Sequence, residues 1–141
     1  MSYDKVTAFY IRTATEDMKS INLQKEQLTT YCKVNEIQNY EFYIDAGHSG
    51  NDLERPAMQK LIQAAKDGKL STLVVCELSR LSRSARGALH LINDILIPNE
   101  VDVISLMDSL DTSTPVGKFV VNNYLELAIE RGKRVCQEIK R

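Results

Sequence analysis

Four short apolar runs, separated by segments with helical spacing, are the feature that most constrains the fold of this chain. The runs span residues 5–11, 40–44, 72–76 and 101–107. Short apolar runs bounded by turn residues are typical of buried strands. Because parallel strands that alternate with helices require crossover connections, this order predicts βαβ units and a mainly parallel sheet. We therefore expect one α/β domain with three αβα layers and a flavodoxin-like sheet of four or five strands.

The segments between these runs carry the start and stop signals of helices. The first helix is expected from about residue 17 to residue 35, with a moderately clean apolar face formed by Ile21, Leu23, Leu28, Tyr31 and Cys32. Pro56 suits the first turn of the second helix, which Asp67 and Gly68 end. A third helix is expected to begin near Ser84 and to end near Pro98.

The last segment, from about residue 114 to residue 141, has no strand signal and predicts a long helix. Its first half is apolar on nearly every side, through Phe119, Val120, Val121, Tyr124, Leu125, Leu127, Ala128 and Ile129. A helix that is apolar all round must be covered all round. Because one domain can cover only one face, we expect the other face to meet a partner subunit.

The charge of the chain is balanced overall but segregated along its length. The 141 residues hold 18 Lys and Arg against 19 Asp and Glu, a net charge of −1, which excludes a uniformly basic coat. Residues 80–86 contribute three arginines and no acid, and residues 131–141 contribute five bases against one acid. Local positive charge is what contact with phosphates requires. The sequence therefore permits two basic strips on an otherwise neutral domain.

Cysteine content and hydropathy narrow the class of protein further. The three cysteines lie far apart with no Cys/His cluster, so we expect neither a zinc site nor a disulfide framework. No stretch approaches the length of a membrane span, and the N-terminus has no apolar signal core. We expect a soluble cytoplasmic protein that needs no metal or other cofactor.

Three arginines fall near the predicted carboxyl edge of the sheet, where open α/β sheets bind ligands. These are Arg12, Arg80 and Arg83. Arginine presents planar charged donors that fit phosphate oxygens, so their convergence indicates an anionic substrate. A set of solvated or salt-bridged surface arginines explains the spacing equally well. Neither GxxxxGK[ST] nor GxGxxG occurs, which argues against the common nucleotide-binding loops.

Six motifs in order along the chain together resemble those of the serine recombinases. They are YIRTAT at 10–15, SI at 20–21 with Gln24, DAGHSG at 45–50 with Arg55-Pro56, LSRLSR at 78–83, DTSTPVGK at 111–118, and Glu130-Arg131. The resemblance covers essentially the whole chain. The glycine-rich loop and the DTSTPVG segment resemble the large serine integrases and transposon recombinases more than the small resolvases.

The resemblance implies the catalytic domain of a site-specific recombinase, whose copies associate through the long C-terminal helix into dimers that pair into tetramers. In that family a serine hydroxyl attacks the scissile phosphodiester of double-stranded DNA and forms a 5′-phosphoserine link, without metal or nucleotide. Covalent storage of the bond energy explains this independence. The resemblance assigns the phosphate to Arg12, Arg80 and Arg83. It assigns supporting positions around the site to Tyr10, Gln24, Asp45, Ser49 and Arg55.

One position departs from the family pattern in a way that bears on activity. Where the family motif places the nucleophilic serine, this chain has Ala14. A methyl group cannot attack phosphorus, so the chain as written is expected not to cleave DNA. Either an engineered substitution or a naturally inactive relative explains the alanine, and the match of the remaining site favours the engineered form. Ser79 also stands where many relatives carry aspartate.

The resemblance further implies where DNA is contacted. We expect contacts from Arg55, Lys118, Arg131, Lys133, Arg134, Lys140 and Arg141. The family's separate DNA-recognition domain has no counterpart in the sequence, so we expect residues 1–141 to be one catalytic domain of a longer protein. Two other functions stay open: an inactive relative that serves as a DNA-binding or assembly subunit, and an unrelated flavodoxin-like binding protein.

Overall fold

A computed structural model of the protein describes residues 5–13, 18–47, 55–82, 84–119 and 123. The elements are β1 (Val6–Thr13), α1 (Met18–Val34), β2 (Tyr40–Ala46), α2 (Pro56–Lys66), β3 (Leu70–Val75), a 3₁₀ turn (Leu78–Arg80), α3 (Ala85–His90), β4 (Asp102–Ser105) and β5 (Leu110–Asp111). α3 continues through a π-helical segment, Leu91–Leu96, into a 3₁₀ turn, Ile97–Asn99. The predicted alternation of strands and helices is confirmed.

The five strands form one sheet in the order β2-β1-β3-β4-β5. The first four are parallel to their neighbours, and β5 pairs antiparallel with β4. The prediction of a mainly parallel sheet of four or five strands is therefore confirmed. The antiparallel strand arises because the chain reverses directly after β4, with Ser109 at a positive φ of 50°.

Apolar residues of β1 alternate between the two faces of the sheet, which creates a core on each side. Ala8 and Tyr10 pack with residues of α2 and α3, whereas Phe9 and Ile11 pack with residues of α1. Successive side chains of a strand point to opposite faces, so a strand that is apolar throughout must be covered twice. This arrangement is the expected three-layer αβα architecture.

The buried stripe of α1 differs from the face expected from its apolar residues. Ile21, Gln24, Leu28 and Cys32 are buried, whereas Leu23 is 57% exposed. The spacing of three, four and four residues follows one side of a helix. Gln24 thus shares the inward face although it is polar, which brings its amide to the carboxyl edge of the sheet.

The segment after β5 begins a further helix through a compact set of hydrogen bonds. The Thr114 hydroxyl donates to the Asp111 carbonyl oxygen at 3.2 Å and accepts from the Gly117 amide at 2.9 Å. A Cβ atom at Gly117 would come within 1.6 Å of the Asp111 carbonyl oxygen, so glycine is required there. Residues 115–119 are helical. Residues 124–141 lie outside the described residues, and the length of the predicted helix stays a prediction.

Candidate active site

Three neighbouring strands deliver polar side chains to one edge of the sheet. Arg12 lies near the end of β1, and Asp45 stands opposite it in register near the end of β2. Arg80 follows β3 on the 3₁₀ turn. We call residues 78–81 the arginine turn. The carboxyl ends of parallel strands meet at the same edge, which is why residues far apart in sequence converge here.

The side chains of Arg12 and Arg80 each donate hydrogen bonds to main-chain carbonyl oxygens at or next to the other arginine. The Arg12 guanidinium donates to the carbonyl oxygens of Ser79 and Arg80, at 3.0 and 3.3 Å. In return, Nη1 of Arg80 donates to the Arg12 carbonyl oxygen at 3.2 Å. Arg12 is only 3% exposed. Carbonyl dipoles thus hold two like charges together at this edge and fix the directions of both side chains.

Arg55 is completely buried and supports the arginine turn from beneath. Its Nη2 donates to the Leu81 carbonyl oxygen at 2.6 Å, and its Nη1 donates to the Arg80 carbonyl oxygen at 3.3 Å. Its guanidinium also lies 5.6 Å from the centre of the Tyr10 ring. The expectation that Arg55 contacts DNA does not fit this placement, because its exposed fraction is 0% and both amino groups bind carbonyls.

Asp45 is a buried anchor that joins β1, β2 and α2. Its carboxylate accepts hydrogen bonds from the Tyr10 hydroxyl at 2.7 Å, the Ala57 amide at 2.8 Å and the Met58 amide at 3.0 Å. The two amides belong to the first turn of α2, where unpaired N–H groups favour an anion. With three donors in place, Asp45 holds the local structure together.

Tyr10 is held in its neutral form by the same contacts. Burial raises the pKa of its hydroxyl well above the ordinary value of 10.0, and the hydrogen bond to the Asp45 carboxylate raises it further. A phenol with so high a pKa does not act as a base at neutral pH. The hydroxyl instead fixes the Asp45 carboxylate on the sheet.

A pocket of about 150 Å³ opens beside Arg80, between α1 and the start of the arginine turn. It is lined by Ser20, Leu23, Gln24, Gln27, Cys76, Glu77, Arg80 and Met107. Nε2 of Gln24 donates to the Arg12 carbonyl oxygen at 3.2 Å. Among the described residues, Oε1 of Gln24 and Nε of Arg80 are buried without a hydrogen-bond partner. The pocket thus brings polar and apolar side chains together beside Arg80.

The charges of the described site are balanced in number. Three guanidiniums, those of Arg12, Arg55 and Arg80, stand against three carboxylates, those of Asp45, Glu77 and Asp108. Glu77 lies 3.1 Å from Arg80, but both side chains are partly exposed, so solvent weakens the pair. Carbonyl oxygens bind the guanidiniums of Arg12 and Arg80 without cancelling their charge, which suits an anion at this edge.

Asp108 is a site residue that the sequence motifs do not single out. Its Oδ2 accepts a hydrogen bond from the Leu78 amide at 2.9 Å and one from the Ser105 hydroxyl at 2.5 Å. Leu78 opens the arginine turn, so the Asp108 carboxylate binds the start of that turn. Asp108 lies three residues beyond the end of β4, yet no spacing rule identifies its partner thirty residues earlier.

Several predicted site residues fall outside the described part of the chain. These are Ala14, Ser49, Arg83, Arg131, Lys133, Arg134, Lys140 and Arg141. Lys118 is described and exposed on the helical residues 115–119. The described residues contain no group of three or more His, Cys, Asp or Glu side chains suited to a metal ion. No helix among them is long and apolar enough to cross a membrane.

Fold and site together define an α/β domain that gathers arginines at the carboxyl edge of a parallel sheet. The model of the family described as "Resolvase, N terminal domain" matches residues 7–137. The chain therefore belongs to the resolvase N-terminal domain family, which confirms the resemblance to serine recombinases.

Individual relatives agree with this membership. The chain is 34% identical over 110 residues to a DNA-invertase of Enterobacteria phage P7, covering 78% of this chain and 53% of the invertase. It is 28% identical over 119 residues to the Tn917 resolvase of Enterococcus faecalis, covering 84% of this chain and 59% of that protein. The chain thus spans about half the length of the curated relatives it matches.

Solved structures give the same result. The crystal structure of the N-terminal catalytic domain of TP901-1 integrase is similar with a TM-score of 0.81 and 38% identity, covering 94% of this chain and 99% of that domain. A resolvase family site-specific recombinase from Streptococcus pneumoniae is similar with a TM-score of 0.69 and 26% identity, covering 96% and 95% of the two chains.

Proposed function

We propose that this chain is the catalytic domain of a site-specific DNA recombinase of the kind that cleaves and rejoins DNA through a 5′-phosphoserine intermediate, here in a form with alanine at the nucleophile position. The observation that carries the proposal is the mutual binding of Arg12 and Arg80 at the sheet edge, at 3.0 to 3.3 Å, by carbonyl oxygens that do not neutralise either guanidinium. Membership of the resolvase N-terminal domain family supports this substrate over other anions.

Arg12 and Arg80 would stabilise the charge that develops on the phosphate during attack. Donors held in advance by their surroundings stabilise such charge without reorganising at the moment of reaction. The carbonyls of residues 12, 79 and 80 supply that prior fixation, and Arg55 secures the same turn from the core. Arg83 would act beside them, as the family motif implies, and Gln24 would orient the DNA strand from its position in the pocket.

In the family reaction a serine oxygen bonds to phosphorus while the bond to the 3′ oxygen breaks, leaving a free 3′-hydroxyl. Attack by that hydroxyl after strand exchange breaks the phosphoserine link and restores the phosphodiester. Ala14 stands at the serine position and carries no oxygen. We therefore propose that the chain as written is inactive in cleavage. Thr13, the hydroxyl residue before Ala14, is buried in β1 at 3% exposure and is a poor substitute.

Double-stranded DNA and further copies of the chain are the partners we propose. Lys118 is exposed where the predicted helix begins, and the basic strip at residues 131–141 lies at the other end of that predicted helix in sequence. Val116 and Phe119, on the described first turns, are 72% and 70% exposed. Exposed large apolar residues at the start of a segment whose sequence ends in a basic strip suit a helix that meets a second copy while its end contacts phosphates.

A second candidate function follows from Ala14 itself. A naturally inactive relative would bind recombination assemblies or DNA without cutting it. The coding sequence in the source genome distinguishes the two readings: a serine codon at position 14 indicates an engineered substitution, and an alanine codon favours the inactive relative.

A chimera tests the proposed reaction. The N-terminal catalytic domain of TP901-1 integrase is replaced by this chain carrying Ala14→Ser, so that the integrase supplies DNA recognition. On that integrase's DNA site, we expect a covalent protein–DNA adduct that survives denaturing electrophoresis. The same chimera with Ala14 should form none, and Arg80→Ala in the serine background should abolish the adduct.

A mobility-shift measurement accompanies the chimera experiment. If the Ala14→Ser chimera binds the site but forms no adduct while the parent integrase does, the proposed reaction is wrong. If the chimera does not bind, a charged residue at Phe119 provides a second measurement, because the proposed self-association then predicts a lower molecular mass in solution at the same concentration.

A further inference from the structure

We propose that Asp108 is a positioning residue that holds the arginine turn and links it to the segment entering the C-terminal helix. The proposal rests on the proposed function only in giving Arg80 the phosphate as its ligand. Asp108 does not touch that ligand. It acts through the main chain of Leu78, two residues before Arg80.

A short ladder of hydrogen bonds joins the exit of β3 to the exit of β4. The Leu106 amide donates to the Val75 carbonyl oxygen at 3.1 Å, and the Met107 amide donates to the Cys76 carbonyl oxygen at 2.7 Å. The third rung runs in the opposite direction, from the Leu78 amide to the Asp108 carboxylate. Where the main-chain pairing of the two strands ends, the Asp108 side chain accepts the next hydrogen bond. Its donor, the Leu78 amide, belongs to the first residue of the arginine turn.

Ser105 fixes the carboxylate that makes this rung. Its side chain is buried, with 1% of its surface exposed, and its hydroxyl donates to the same Oδ2 atom that accepts from Leu78. Asp108 itself is exposed, so the hydroxyl supplies the direction that burial does not. Two donors on one oxygen leave that oxygen a single position relative to β4.

The arginine turn is thereby held from both of its polar sides. Arg12 and Arg55 bind its carbonyl oxygens, at Ser79, Arg80 and Leu81. The amides of Arg80 and Leu81 donate back to Glu77 and Leu78 within the turn itself. The Leu78 amide donates to Asp108, which determines where the turn starts after β3.

The same residue connects the turn to the start of the C-terminal helix. From Asp108 the chain reverses at Ser109, forms β5 and reaches the Asp111 carbonyl that packs against Gly117. A movement of the helix start must pass through these few residues, and Asp108 transmits it to Leu78. The geometry thus couples the start of the C-terminal helix to Arg80 through the Asp108 carboxylate.

Backbone and arginine NMR signals of the 141-residue chain test the positioning role directly. In Asp108→Ala, the Leu78 amide should exchange with solvent about threefold to tenfold faster, the factor that corresponds to one modest hydrogen bond. The response of the Arg80 Nε–H signal to inorganic phosphate should move to about threefold to tenfold higher phosphate concentration. Asp108→Asn keeps an acceptor oxygen for Leu78 and should restore most of both effects.

Asp94→Ala is the matched control, because it removes one exposed carboxylate and its contact with His90 without touching the arginine turn. Both readouts should match the parent chain. Unchanged Leu78 exchange in Asp108→Ala would overturn the inference, as would an Asn variant as impaired as the Ala variant. If the Arg80 Nε–H signal of the parent chain does not respond to phosphate, the proposed function is wrong. The exchange rate of the Leu78 amide still decides whether Asp108 positions the arginine turn.

Gly117→Ala tests the link to the helix, since its Cβ must displace the Asp111 carbonyl. In the parent chain this change should speed Leu78 exchange and weaken the phosphate response. In the Asp108→Ala background it should add little, because the connection is already cut. Equal effects in the two backgrounds would show that the helix start reaches Arg80 by another route, and the proposed link would be wrong.

Discussion

Two carboxylates, Asp45 and Asp108, hold the starts of two different segments at the same sheet edge. Each carboxylate accepts one hydrogen bond from a side-chain hydroxyl and one or two from main-chain amides. The amides that Asp45 binds belong to the first turn of α2, and the amide that Asp108 binds belongs to the arginine turn. Asp45 is 2% exposed and lies within the core, whereas Asp108 is exposed on the segment that reverses after β4. The same chemistry therefore occurs in two settings, a buried anchor at Asp45 and an exposed contact at Asp108.

Removing the buried anchor should have the largest effect on stability. Asp45→Ala leaves the Tyr10 hydroxyl and two α2 amides without their acceptor, so we expect a loss of about 3–5 kcal/mol in the free energy of unfolding. Urea denaturation followed by circular dichroism measures it. The control is Asp67→Ala, which removes an exposed carboxylate bonded to Gln63 at 2.9 Å and should change little. A loss at Asp45 as small as the control's would contradict the anchor.

Tyr10→Phe removes one donor from the anchor and should have an intermediate effect. The buried Asp45 oxygen keeps the Met58 amide, so we expect a loss of about 1–2 kcal/mol in the free energy of unfolding. The matched change is Tyr43→Phe, whose hydroxyl makes only a long, exposed contact with Glu41 at 3.5 Å. Equal losses in the two variants would show that burial of the Tyr10 hydroxyl bond does not matter.

The same tyrosine predicts how stability depends on alkaline pH. The pKa of Tyr10 is raised in the folded chain by burial and by the Asp45 hydrogen bond, so the unfolded chain loses that proton first. The contribution of the Tyr10 hydroxyl to the free energy of unfolding is fully present below pH 10, and it decreases as the pH rises above 10. Burial also raises the pKa of Cys76 from 9.0 to about 11, so the free energy of unfolding begins to decrease near pH 9 through this thiol as well. Unfolding of Tyr10→Phe should depend less steeply on pH above 10, and an unchanged slope would contradict the assignment.

Asp108→Asn should have the smallest effect on stability, within about 0.5–1 kcal/mol, because the carboxylate is exposed and the amide oxygen still accepts a hydrogen bond. Asp108→Ala sharpens the comparison with Asp45. Its unfolding free energy should change less than that of Asp45→Ala, while its phosphate response shifts as described above. A loss of stability as large as at Asp45 would remove the distinction between the buried anchor and the exposed contact.

The sequence predicts much of the fold because its signals are local. Apolar runs, Pro56 and the turn at Asp67 and Gly68 act within a few residues, and the structure confirms the elements that they predict. The expected contact between Arg55 and DNA rests on the family resemblance, which does not identify the partners of Arg55 in this chain. Those partners are carbonyls twenty-five and twenty-six residues later, which only packing brings within reach.

The sequence by itself determined the class of architecture and the edge at which charged residues gather, since alternation dictates a parallel sheet and parallel strands end together. Tertiary structure decided which of those residues are ligands and which are supports. Arg12 and Arg80 bind across a separation of sixty-eight residues, and Asp108 reaches Leu78 across thirty. Hydrogen bonds depend on distances of a few tenths of an ångström, and such distances exist only once the strands, helices and turns have packed.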